Sequence, residues 1–312
     1  MKKDLKETQA SRPTSGSVVD IRYAFYLLKQ NPLVIFGFAI SVASILIAVF
    51  ADFIVNGRSW QHIDLGIRLC WNNPAINWGI VNVFNCAGPV YSLGTDSFGR
   101  DVFQMIILGI PLDLEIALGV VASAVMVGVV FGGVAAYAGG LVDEIILRVT
   151  DIFLAIPGIL LAIVLLVILG RTFNILTLAV AITWWPTYLR LMRSQVLGEK
   201  EKPYVESLRA MGAGPARILF RHIVPNSIYP IFVQATLDIG GVILTVSALT
   251  FLGFSPSPLI PELGNLANDG IKYLFTAPWL IMFSGLTILI ISLGFNLLGD
   301  GIRDVFDPRL RR

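Results

Sequence analysis

The sequence has 312 residues, of which 55% are hydrophobic and only 14% are charged, and its mean hydropathy is +0.77. This balance excludes an ordinary soluble domain and is typical of a chain that lies in a lipid bilayer. The net charge of +2, with basic residues scattered along the chain, indicates no nucleic-acid partner.

Six apolar runs are long enough to be membrane spans, since a helix needs about 20 mostly apolar residues to cross the hydrocarbon core. They comprise residues 33–51, 116–138, 152–169, 173–189, 228–251 and 278–298. None shows the ten-residue alternation of a membrane barrel. The sequence therefore predicts an all-α integral membrane protein with six transmembrane helices in one domain, residues 33–312.

The first 32 residues are predicted to be a cytoplasmic tail. Its last part, IRYAFYLLKQNP, is read as an amphipathic segment at the inner membrane surface, although a simple basic flank explains it equally well. The first apolar run begins late and is not followed by a cleavage pattern, so we expect a retained span rather than a signal peptide.

Residues 52–115 form the predicted outer loop, and both cysteines, Cys70 and Cys86, lie in it. An oxidising exterior would allow them to pair, but two free thiols fit the sequence equally well. Asp113 and Glu115 close this loop at the start of the second span. We expect both carboxylates to be solvated near the interface.

With the N-terminus placed inside, 18 of the 23 lysines and arginines fall in inner segments. Cytoplasmic loops collect such residues. The sequence thus predicts a multi-pass protein of the cell membrane, surrounded by lipid, with both termini in the cytoplasm.

The inner segment 190–227 is unusually rich in local structure signals. Val205 and Met211 fall on one face of a predicted short helix, and Gly212 favours the positive φ that ends a helix. A second helix is expected to begin at Pro215 and to stop at Pro225. Two short helices joined by a bend would form a projection suited to a groove on a soluble partner, whereas the alternative is a solvated connector.

Asp238 lies near the middle of the fifth span, where a charge costs about 3 kcal/mol. It is predicted to face a water-filled pathway or a subunit interface, and the alternative is a neutral aspartic acid hydrogen-bonded within the bundle. Gly128, Gly132 and Gly240 are expected to mark faces where helices pack closely.

Several kinds of chemistry are absent from the sequence. No glycine is followed by lysine, so the phosphate-binding loop GxxxxGK[ST] does not occur. Neither a clustered metal-ligand pattern nor a histidine within a span is present. We therefore expect neither an enzyme nor a chain that binds a cofactor or metal.

The segment YVESLRAMGAGPARILFRHIVPN resembles the EAA loop of ABC-importer permeases, with Glu206, Gly212 and Pro225 at the family spacing. Ser207 and Leu208 replace the two alanines of that pattern. The stretches LGTDSFGRDVF and FNLLGDGIRDVFDPRL are similar to the dipeptide, oligopeptide and nickel branch, specifically its second permease subunit.

This resemblance implies a type I ABC-importer permease fold and a division of labour. A homologous permease subunit would complete the pathway, two ABC ATPase subunits would use ATP and Mg, and an extracytoplasmic binding protein would deliver substrate. Glu206 would be a polar anchor and Gly212 the bend of the coupling lever. The resemblance implies that the ATPase-coupling residues are Tyr204, Glu206, Arg209, Ala210, Gly212, Ala213, Arg217 and Pro225.

The substrate implied by the branch is a di- or oligopeptide, with oligosaccharides or nickel as alternatives. A function of another class, a stand-alone secondary transporter, would need its own ion sites or inverted repeats. The sequence shows no internal repeat, and a self-sufficient transporter has no evident use for the bent inner segment.

Overall fold

The computed structural model describes residues 31–55, 69–70 and 91–306. The described residues are helices and their connections, with one isolated bridge between Thr95 and Asp101. The predicted all-α class is confirmed. The helices are α1 (Pro32–Ile54), α2 (Val102–Ala138), α3 (Gly140–Ala155), α4 (Gly158–Leu169), α5 (Phe173–Glu199), α6 (Pro203–Ala210), α7 (Pro215–Ile218), α8 (Val224–Ser227), α9 (Tyr229–Leu249), α10 (Leu263–Lys272) and α11 (Trp279–Phe306).

Short polar side chains begin three of the long helices. The side chains of Asn31, Asp101 and Thr172 accept hydrogen bonds from the first free N–H groups of α1, α2 and α5. These groups lack partners within a helix, so such caps define where a helix starts. The start of α2 at Val102 is therefore set by Asp101, well before the predicted residue 116.

Five described helices, α1, α2, α5, α9 and α11, are long and apolar enough to cross a membrane. Together, α3 and α4 pass the same test as a sixth span, but they are bent by 86°. The predicted span 152–169 thus comprises the end of α3 and all of α4, and the sequence analysis did not predict the bend between them. Ile156 precedes Pro157 and adopts an extended conformation with φ −98° and ψ 127°, because proline disfavours the helical region for the residue before it.

Two spans extend beyond their predicted ends. Helix α2 contains 37 residues and is about 55 Å long, whereas the hydrocarbon core is about 30 Å thick. Helix α5 continues to Glu199, ten residues past the predicted end. The segments predicted as outer loop 52–115 and inner loop 190–227 thus each contain part of a long helix.

The centre of the bundle is the pairing of α2 with α5. A Cβ added at Gly128 or Gly132 of α2 would clash with Tyr188 or Leu189 of α5, so only glycine permits this approach. Gly240 of α9 has the same role against α11, where the Ser292 hydroxyl donates to the Gly240 carbonyl at 2.7 Å. These contacts are the close packing faces that the sequence predicts.

The N-terminal end of α2 is covered by residues 91–101 and α10. The Trp279 indole N–H donates to the Thr95 carbonyl at 3.1 Å, and the Ser97 hydroxyl donates to Asp269 of α10 at 2.6 Å. The Arg100 guanidinium pairs with Asp96 and donates to the Leu259 carbonyl. The opposite end of α2 meets the bent inner segment, so α2 connects the two ends of the molecule.

Candidate functional site

The coupling segment, defined here as residues 200–227, packs against the bundle through an apolar base. Val205, Ile218 and Ile223 are at most 1% exposed. They join one apolar cluster with Tyr188 and Met192 of α5. The segment is therefore a folded part of the molecule, as its sequence predicts, rather than a loose connector.

The side of the coupling segment facing away from the base is open to solvent. Met211 is 73% exposed and Phe220 is 46% exposed, although both are large apolar side chains. Arg209, Arg217 and Arg221 are exposed on the same segment. Of the predicted coupling residues, Glu206, Arg209, Ala210, Gly212, Arg217 and Pro225 are exposed, and Tyr204 and Ala213 are half-buried. The structure thus brings all eight onto one compact projection.

Gly212 forms the bend between α6 and α7. Its φ is +76°, a left-handed conformation that other residues adopt only with strain. The N–H of Gly212 donates to the Arg209 carbonyl and the N–H of Ala213 to the Leu208 carbonyl, which closes the end of α6. No described atom lies within 4 Å of a Cβ placed at Gly212. Backbone conformation, and not crowding, therefore requires glycine.

Pro225 does not end the second helix, contrary to the prediction. The chain continues from α7 through a π-helical turn, Leu219–Ile223, into α8. Proline lacks an N–H and its ring clashes with the carbonyl four residues earlier in a regular α-helix. The wider π turn just before Pro225 accommodates the missing N–H and the ring. The helical stretch that begins at Pro215 is therefore longer than predicted.

Polar contacts tie the base of the segment to the ends of α2 and α5. The Tyr204 hydroxyl donates to Glu199 at 3.0 Å, and the Lys200 ammonium donates to the Ala136 carbonyl at 2.8 Å. Burial, with the acceptor Glu199, raises the pKa of Tyr204. The Arg209 guanidinium lies 5.9 Å from the centroid of the Tyr137 ring. A displacement of the projection would therefore act directly on α2.

Two arginines of α5 hold α3, and sequence reasoning missed both. The Arg193 guanidinium donates to both carboxylate oxygens of Asp143, at 2.7 and 2.6 Å, and Arg190 donates to Asp151 at 2.6 Å. Arg190 and Arg193 are three residues apart and so share a helix face. That spacing was visible in the sequence, but their acidic partners were not.

Asp238 lies where α9 faces α5. Gln234 donates to one carboxylate oxygen at 2.9 Å, while the other is buried without a hydrogen-bond partner among the described residues. Tyr188 and Trp184 of α5 are the neighbouring polar groups. The side chain is half-buried, and its role in a pathway stays a prediction.

The prediction that Asp113 is solvated is wrong. Because α2 begins at Val102, Asp113 lies three turns into the helix and is only 1% exposed. Its carboxyl faces Glu262, which is also buried. Glu115 is exposed, as expected, and borders a cavity of about 710 Å³ between α2 and α5.

Of the two cysteines, Cys70 is 1% exposed and disulfide-bonded. Cys86 and the tail 1–30 lie outside the described residues. The pairing of Cys70 with Cys86 and the amphipathic nature of the tail therefore stay predictions.

Residues 128–312 match the family described as binding-protein-dependent transport system inner membrane component. The dipeptide transport system permease protein DppC of Alkalihalophilus pseudofirmus is 39% identical over 93% of this chain and 90% of its own length. The oligopeptide transport system permease protein OppC of Bacillus subtilis is 33% identical over 93% and 90%. The glutathione transport system permease protein GsiD of Pectobacterium atrosepticum is 42% identical over 70% and 73%.

Proposed function

The chain belongs to the family of inner membrane components of binding-protein-dependent transport systems, and we propose that it serves in the import of di- or oligopeptides. It is a permease subunit of an ABC importer, a multi-pass membrane protein and not an enzyme. The relatives' names refer to dipeptide, oligopeptide and glutathione transport, which favours peptide over sugar or metal ion.

Permeases of this kind work in a complex with other subunits. The proposed complex contains a homologous permease, two ABC ATPase subunits and an extracytoplasmic binding protein, with lipid around the spans. ATP and Mg would be bound by the ATPase subunits, and no cofactor by this chain. The basic inner segments support placement in the cytoplasmic membrane with both termini inside.

The observation that carries the coupling proposal is the shape of the coupling segment. It has a buried base and an exposed remainder, called the tip, which carries the large apolar side chains of Met211 and Phe220 and several exposed arginines. Such a tip suits the groove of a soluble partner. We assign that groove to an ATPase subunit, whose closure would push α6 and α7 and, through Lys200 and Arg209, the inner end of α2.

Asp238 is the candidate pathway residue. Its second oxygen and the neighbouring Tyr188 hydroxyl face each other without a well-formed hydrogen bond among the described residues, and Trp184 lies nearby. A carboxylate oxygen at this position can accept a hydrogen bond from the amino group of a passing solute or from a water molecule.

The test is uptake by purified subunits reconstituted in liposomes with the binding protein and internal ATP. Labelled dipeptide, oligopeptide, oligosaccharide and nickel are compared side by side. Peptide uptake that requires both ATP and the binding protein supports the proposal. ATP-dependent uptake of sugar or nickel alone would refute the substrate assignment, and uptake by this chain alone would refute the division of labour.

A further inference from the structure

Two buried carboxyl groups meet where α2 passes the start of α10, at the end of α2 opposite the coupling segment. Asp113 is 1% exposed and Glu262 is fully buried. Neither forms an ion pair within the described part of the chain. Arg100, in the segment before α2, already pairs with Asp96 and donates to the Leu259 carbonyl. No described cation therefore compensates two negative charges here.

Glu262 caps α10 and acts as a hydrogen-bond acceptor through both oxygens. One accepts from the Gly264 N–H at 3.1 Å and the other from the Asn265 N–H at 2.7 Å. Burial raises the pKa of Glu262, and the Thr250 hydroxyl and these N–H groups oppose that shift. Because an ionised carboxylate is the better acceptor for two N–H groups, the capping geometry assigns the charge to Glu262.

Asp113 lies in the opposite situation. Neither of its oxygens has a hydrogen-bond donor by geometry among the described residues. The polar groups that face it are the Glu262 carboxyl and the Leu263 N–H. A second carboxylate would be buried against a like charge, which is prohibitive in an apolar setting. A proton on Asp113 turns the same contact into an O–H···O hydrogen bond.

The surroundings leave little space for water to separate the pair. A Cβ added at Gly109 of α2 would clash with the Pro261 carbonyl, and one added at Gly264 would clash with Ser247 and Thr250. The backbones therefore approach closely on both sides of Glu262. The other charged groups on the elements packed here are Asp96, Arg100 and Asp101 before α2, Glu115 on α2, Asp238 on α9, and Asp269 and Lys272 on α10. Of the charged groups in the described part of the chain, only Glu262 faces Asp113 and only Asp113 faces Glu262.

We propose that Asp113 and Glu262 form a one-proton site in which Asp113 donates to Glu262, and that this site fastens α10 to α2. The proton on Asp113 removes one of the two negative charges, so the buried pair needs no neighbouring cation. Removing that proton places two like charges in contact and loosens the start of α10. This inference concerns the folded chain and does not depend on which solute is imported.

The assignment of donor and acceptor can be tested because the two amide substitutions are not equivalent. In Asp113→Asn the carboxamide keeps a donor for Glu262 and an acceptor for the Leu263 N–H, so we expect an unchanged melting temperature. Asp113→Leu, of similar size, leaves the Glu262 charge unpaired. Glu262→Gln turns one acceptor into a donor that faces an N–H group. Asp113→Leu and Glu262→Gln should each lower the melting temperature of the full chain in detergent.

Infrared spectroscopy detects the protonated carboxyl group itself, so it distinguishes loss of the proton from a change in packing. The wild-type chain should show the carbonyl band of a buried protonated carboxylic acid, and the difference spectrum should show that Asp113→Asn has lost intensity in this band. The proposal is overturned if Asp113→Asn loses no intensity there, or if Asp113→Asn is destabilised as much as Asp113→Leu. A stable Glu262→Gln beside an unstable Asp113→Asn would reverse the assignment and equally refute it.

Discussion

The Arg193 guanidinium donates two hydrogen bonds to the carboxylate of Asp143, at 2.7 and 2.6 Å, and so ties α5 to α3. Thr150 is the one buried residue of α3, and the Arg190–Asp151 hydrogen bond and the Phe153–Trp185 ring contact are further links from α3 to α5. In a double-mutant cycle of Arg193→Ala and Asp143→Ala, we expect a coupling energy of about 1 kcal/mol because the pair is bidentate and partly buried. Denaturant unfolding in detergent measures it.

The matched control for that cycle is an exposed pair on α3. Arg148 and Glu144 are 3.6 Å apart, and their side chains are 75% and 62% exposed. Their coupling energy should be at most about 0.5 kcal/mol, since water and salt screen surface ion pairs. Equal coupling in the two pairs would contradict a structural role for Arg193.

Gly212→Ala should weaken coupling to the ATPase subunits. The left-handed conformation at Gly212 costs a residue with a Cβ about 1–2 kcal/mol, so the bend between α6 and α7 should distort or open. The measurement is substrate-stimulated ATP hydrolysis by the reconstituted complex. We expect reduced stimulation with the chain still inserted in the membrane.

Gly214→Ala is the matched control for the bend. Gly214 has φ −69°, and no described atom lies within 4 Å of an added Cβ. Alanine should fit there without strain, so ATPase stimulation should be unchanged. If both variants lose stimulation equally, the bend conformation is not the cause.

Glu206→Ala should detach or uncouple the ATPase subunits without unfolding the chain. The side chain is exposed on the coupling segment, so its removal should change the free energy of unfolding by no more than about 0.5 kcal/mol. Co-purification of the ATPase subunits with the tagged permease is the assay. Glu201→Ala, at an exposed position before α6, is the control and should leave co-purification intact. Full retention by Glu206→Ala would exclude an anchoring role.

Asp238→Asn should alter the transport rate while leaving assembly and basal ATP hydrolysis intact. The substitution preserves shape and the acceptor for the hydrogen bond from Gln234, but it removes the ionisable carboxyl group. Uptake in liposomes is compared with basal ATP hydrolysis in the same preparation. Asp300→Asn, the same change at an exposed position of α11, serves as the control. An unchanged uptake rate in Asp238→Asn would place that carboxyl outside the pathway.

Much of the site could be predicted because its signals are local. Apolar runs located the spans, and the bend at Gly212 followed from glycine's tolerance of positive φ. The prediction that the second short helix stops at Pro225 was wrong, because it relied on the rule that proline normally stops a helix. Here a π turn at Leu219–Ile223 absorbs Pro225, and nothing in the residues themselves distinguishes the two outcomes.

The amino-acid sequence by itself determined the class of protein, the number of apolar spans and the bent inner segment, because hydrophobic length and backbone preference act over neighbouring residues. The tertiary structure alone decided which polar side chains meet. Asp113 was expected to be solvated, but it is buried against Glu262, which lies 149 positions later in the chain. Arg193 of α5 pairs with Asp143 of α3. Such pairings depend on how whole helices pack, and burial in an apolar bundle makes each of them energetically significant.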